Sequence, residues 1–230
     1  MLASDTIGSG GAGSAPNAPL GFPADYVALD LETTGFYPNS CGITEIGAVR
    51  VRGHEIVDRF QRLVNPLKPI PRAVTELTGI DDALVEDCPA IEEVLPRFLD
   101  WLDEGAQNGR EPIVGHNVTF DLHFLDYETR RLTGEAFPAR AVDTMQISRA
   151  LYPEERHHRL LDLIRRFGIA DNEEHRALSD AVQTHQCLEW MRRQTDRHEG
   201  RGSFGVARWS LVPAKRNPHV DFQRLTLVRG

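Results

Sequence analysis

No stretch of this 230-residue chain approaches the roughly 20 consecutive apolar residues that cross a bilayer, which argues against a membrane-spanning protein. The N-terminus has neither the basic start nor the apolar core of a secretory signal. Residues 1–24 are instead rich in Gly, Ser, Ala and Pro, the composition of a flexible leader. Cysteine is scarce. Cys41, Cys88 and Cys187 are scattered and odd in number, so they form neither a disulfide framework nor a zinc-ligand spacing. They fit free thiols in a reducing cytoplasm. Positive charge is also short, with 26 Lys and Arg against 34 Asp and Glu, and aromatics make up only 7%. That balance excludes a protein that coats nucleic acid by bulk electrostatics. It leaves open an enzyme that grips one strand end through bound cations.

What is present is a soluble composition, 40% apolar and 26% charged, on a length suited to one domain with extensions. "DYVALDLE" reads as a central strand, and "GITEIGAVRVRGHEIVDRFQRLVNP" as two further strands joined at "RGHE". The first three strands therefore form an antiparallel meander. "PRAVTELTGI" suits a short helix ending at Gly79. "PAIEEVLPRFLDWL" places Ile91, Val94, Leu95, Phe98, Leu99 and Leu102 on one helical stripe. A strand at "PIVGHN", a helix at "VTFDLHFLDYETRRL", a strand and helix at "ARAVDTMQISRALY", a helix closed by Gly168 and a long helix from "HRALSDA" follow. The order predicts an α/β domain over residues 25–195, with a mixed sheet covered by helices. Residues 196–230 lose the periodicity and read as a tail.

Two acids sit at the end of the first strand. Residues two apart on a strand face the same way, so Asp30 and Glu32 project together. Oxygen ligands on one face suit a hard divalent ion, although water or a nearby Arg would also satisfy them. Asn117 and Asp121 are four apart and share a face if a helix begins there; equally, Asn117 caps that helix and Asp121 favours its positive end. His175 and Asp180 are five apart, about 500° of helical rotation, so they do not align on a regular helix. His175 therefore belongs to the preceding loop, reaching back toward Asp180.

In that order, "ALDLETTG", "GHNVTFD" and "HRALSDA" resemble the three motifs of the DEDDh family of 3′–5′ exonucleases, especially its proofreading members of the polymerase III epsilon type. The connecting pieces "ITEIGAVRV", "LTGI" and "AVDTMQISRALYP" share the likeness, which runs from Tyr26 to Met191. The tyrosine branch of the superfamily requires Tyr at the position of Arg176, so the histidine branch fits. The resemblance implies an RNase H-like fold and two divalent ions, Mg2+ or Mn2+, held by Asp30, Glu32, Asp121 and Asp180. It implies His175 as general base, nucleoside 5′-monophosphate as product, and Thr33, Thr34, His116, Asn117 and Phe120 beside the terminal nucleotide. Phe120 fits the core equally well. Glu45 matches a family acid near the site and equally suits a strand acid paired with Arg, Asp143 reads as structural, and the Thr78–Ile80 segment resembles a loop that the family sets beside the terminal base.

The expected partner is a single-stranded or frayed 3′ end of DNA, with RNA as the alternative substrate and proofreading or repair as the role. A non-catalytic polymerase-associated subunit is the rival of another class. In the tail, "RWSLV" (208–212) and "RLTLV" (224–228) weakly resemble sliding-clamp peptides and equally resemble ordinary β segments. They mark residues 196–230 as a candidate extension for binding a clamp or polymerase.

Overall fold

The computed structural model describes residues 22–106, 110–199, 209–213 and 222–229. The chain runs β1 (Tyr26–Thr33), β2 (Ile43–Arg52), β3 (Glu55–Leu63), α1 (Arg72–Thr78), α2 (Asp82–Val85), α3 (Ile91–Glu104), β4 (Ile113–Gly115), α4 (Thr119–Thr133), β5 (Arg140–Asp143), α5 (Thr144–Leu151), α6 (Leu160–Arg166), α7 (Ala177–Glu199), β6 (Trp209–Pro213) and β7 (Gln223–Arg229). The seven strands make one sheet in the order β3-β2-β1-β4-β5-β7-β6. As expected, β1 to β3 are antiparallel and the sheet then turns parallel through β4 and β5. Gly53 and His54 both take positive φ, 54° and 75°, forming the two-residue turn between β2 and β3.

Alternation along β1 sorts the core into two layers. Val27, Leu29 and Leu31 pack with α3 and α4, while Tyr26 and Ala28 pack with α5, α6 and α7. By that period Asp30 and Glu32 fall on the α7 side. On the neighbouring strand Gly47, paired with Asp30, lies directly under the start of α7. A Cβ built there would stand 2.1 Å from the Leu178 nitrogen and 2.2 Å from the Ala177 carbonyl carbon. The missing side chain is what lets α7 approach the sheet so closely.

Three expectations change. The sheet does not end with residue 195, because 209–213 and 223–229 add two strands beside β5, with Leu225 and Leu227 buried in the α7-side layer. The "RLTLV" segment is an inner strand paired on both edges, so it is not a free clamp-binding peptide. Only the last three residues of the leader, 22–24, are described, and they are tied down. Phe22 packs on the core and the Ala24 carbonyl accepts from the His54 amide at 3.0 Å.

Gly47→Ala should destabilise the protein by about 1–3 kcal/mol, since the added methyl meets helix backbone that cannot rotate away. Chemical denaturation checks it. An unchanged midpoint would show that α7 can lift off Gly47 freely.

Candidate active site

β1 presents Asp30 and Glu32 on one face, and the first turn of α7 lowers Asp180 onto them. Carboxylate oxygens of these three residues all lie within 4.8 Å of one another. One Asp180 oxygen, Oδ1, is buried without a hydrogen-bond partner. Asp121 arrives from α4, across the sheet, and its Oδ1 accepts the Leu31 amide hydrogen at 3.0 Å. A bulge between Glu32 and Thr33 then turns the chain away from β2.

Such crowding is costly for charge. Burial, then the neighbouring Asp121, Asp180 and Glu32, hold the Asp30 carboxyl well above its ordinary range. Burial and Asp180, Glu45 and Asp121 push Glu32 up to about 8, against a smaller opposite pull from Arg176. Burial raises Asp121 to about 8 despite the Leu31 hydrogen bond. Burial, with Glu173 and Glu174, raises Asp180 to about 7. The donor set is all oxygen and includes a buried oxygen with no partner. It fits a hard divalent cation such as Mg2+ or Mn2+, with Asp30, Glu32 and Asp180 as the ligand group and Asp121 alongside.

His175 lies in the loop before α7, with φ of 50°, and its side chain is 36% exposed. Its Nε2 stands 3.8 Å from Glu173 Oε2. Glu173 lies outside the residues singled out from the sequence, and its place two residues before His175 is the local signal for it.

The expected substrate residues are placed unevenly. The Thr33 hydroxyl donates to the Gly35 carbonyl at 2.7 Å, and the Thr34 hydroxyl accepts the Gly42 amide at 3.0 Å, so both brace the β1–β2 loop. His116 Nδ1 pairs with Thr144 Oγ1 at 2.9 Å, its Nε2 is buried without a partner, and burial lowers its pKa to about 4. Asn117 is not the helix cap: α4 begins after Val118, and Asn117 sits outside it with φ of 60°. The reason is Asp143, whose Oδ1 accepts the amides of Asn117 at 3.0 Å and Met145 at 2.9 Å, a structural role. Asn117 and Asp121 therefore do not share a helical face. Phe120 is half-buried, its ring 5.2 Å from that of Phe124, against the α3–α4 layer. Thr78 is buried and bonded within its own turn.

The family pattern described as Exonuclease matches residues 27–188. The chain is 37% identical over 164 residues to the DNA polymerase III PolC-type of Bacillus subtilis, covering 71% of this chain and 11% of that polymerase. It is 36% identical over 159 residues to the DNA polymerase III subunit epsilon of Aquifex aeolicus, covering 69% of this chain and 76% of that subunit. Among solved structures, exonuclease X in complex with 5′ overhanging duplex DNA aligns with a TM-score of 0.58 and 28% identity, over 75% of this chain and 93% of that one. The nuclease domain of 3′hExo, a DEDDh family member bound to rAMP, aligns with a TM-score of 0.64 and 21% identity over 75% and 92%, a likeness of fold.

The raised carboxyls set the sign of a pH effect. Each binds its proton more tightly folded than unfolded, so metal-free protein loses stability as pH rises between about 4 and 8. Metal-free protein should melt lower at about pH 8.5 than at about pH 5.5, by roughly 2–4 °C for each kcal/mol of repulsion. Asp30→Asn should recover part of that loss at the higher pH. Equal melting temperatures, or a variant that melts lower at the higher pH, would contradict the assignment.

Proposed function

This chain belongs to the exonuclease family, and on that footing we propose that it removes nucleoside 5′-monophosphates stepwise from the 3′ end of DNA with two divalent ions. The observation that carries this reading is the meeting of Asp30, Glu32 and Asp180 within ligand distance, with one buried oxygen unpartnered. When bound, such ions supply an activated water and stabilise the attacking and leaving oxygens of an in-line displacement.

The chain's own groups do the rest. Asp30, Glu32, Asp121 and Asp180 hold the ions. His175 accepts the proton of the attacking water on an imidazole nitrogen. Glu173 Oε2 stands 3.8 Å from His175 Nε2 on the same loop. The braced Thr33–Gly35 loop, which continues directly from Asp30 and Glu32, and the exposed Asn117 would meet the terminal nucleotide, while His116, its ring held by Thr144, would support them from beneath. These are backbone and small polar contacts, which position a strand without reading its sequence.

DNA is preferred over RNA because the relatives at 35–39% identity are parts of DNA polymerase III. The role they support is proofreading or repair in the cytoplasm, beside a polymerase. No helix among the described residues is long and apolar enough to cross a membrane.

The test uses 5′-labelled DNA and RNA single strands of one sequence with Mg2+ or Mn2+. Stepwise shortening of DNA is expected, with His175→Ala lowering the rate by about 10²–10⁴-fold and Asp30→Ala abolishing it. Faster shortening of RNA would move the substrate to RNA with the same chemistry. No metal-dependent shortening of either would leave a binding subunit.

A further inference from the structure

Glu45 is fully buried on β2, at the position paired with Glu32. A buried carboxylate is tolerated only when its oxygens are satisfied, and Glu45 receives four donors. Arg176 Nε and the Ala177 amide reach Oε2 at 3.0 and 3.1 Å. Arg176 Nη2 and Gln61 Nε2 reach Oε1, each at 2.8 Å. The guanidinium thus forms a two-point fork on a carboxylate that also takes one of the first amides of α7, which have no partner within the helix.

The residue just before this fork is His175, in the left-handed region at φ 50°. A non-glycine residue keeps that conformation only where its surroundings over-determine it. On the other side of the loop, Gln183 Nε2 donates to the Asn172 carbonyl at 3.3 Å, and Arg165 donates to the Asp171 carbonyl at 2.7 Å. Residues 173–175 form a short strap between two fixed ends. Its near end is pinned to the strand position opposite Glu32.

We propose that Glu45 and Arg176 are positioning residues that fix the backbone of His175 where the loop enters α7, acting on the proton-transfer step and not on metal capture. The inference rests on the exonuclease reading of the same site. The Arg176 guanidinium is bonded to Glu45, so its effect on His175 passes through the backbone of its neighbour.

The test is a double-mutant cycle on full-length protein, scored by kcat and KM on single-stranded DNA, with Mn2+ affinity and melting temperature measured for every variant. Arg176→Ala combined with Glu45→Gln, which removes both charges of the fork together, should lower kcat by about 10²-fold with KM and Mn2+ affinity unchanged. Placed on His175→Ala, the pair should cause no further loss, because the group it positions is gone. Arg176→Lys keeps the charge but not the fork, so it should recover only part of kcat; it also carries the test if the alanine variant fails to fold. Full recovery by Lys, additive losses on the His175→Ala background, or weakened Mn2+ binding would each overturn the proposal and assign Arg176 to charge compensation. An inactive wild-type protein would instead count against the exonuclease reading itself.

Discussion

Mutual repulsion among carboxylates at the end of β1 is the constraint around which this molecule is arranged. Asp30, Glu32 and Asp180 converge within 4.8 Å, with Asp121 against the same strand, and burial compounds their repulsion. Such an arrangement persists because packing elsewhere enforces it. The two core layers clamp β1 from both faces, and alternation along the strand leaves the acids no way to turn aside. A bound divalent cation would relieve that repulsion.

Delivery of Asp180 depends on how α7 meets the sheet. Gly47 removes the side chain that would stand in the way, and Glu45 catches the helix's first amide and Arg176 together. Both residues lie on β2, at the ladder positions opposite Asp30 and Glu32. The strand beside β1 therefore carries no proposed ligand and still fixes the start of the helix that brings Asp180. On the far side, Asp143 does similar work, tying the Asn117 amide to the start of α5 through the Met145 amide.

Much of this was legible in the sequence, for definable reasons. The period of two put Asp30 and Glu32 together, and the five-residue separation put His175 outside the helix of Asp180, because both follow from local geometry. The meander was readable from its turn. What escaped depends on partners far along the chain. Residues 223–229 carry alternating leucines but read as tail, since their pairing with β5 lies some 80 positions away in sequence and leaves no local mark. Asn117 looked like a cap because its residue type favours one; Asp143, 26 residues on, decides otherwise. Glu45 was readable as an acid wanting an Arg, but its four donors come from β3 and the start of α7, which only the fold brings together.

A divalent cation that binds these carboxyls should displace protons from them, which a calorimetric titration of metal-free protein with Mn2+ at about pH 7, in two buffers of different protonation enthalpy, would register. Binding that releases protons to the buffer, and that is lost in Asp30→Asn, is the predicted result. Absence of binding, or binding with no proton release, would contradict the account.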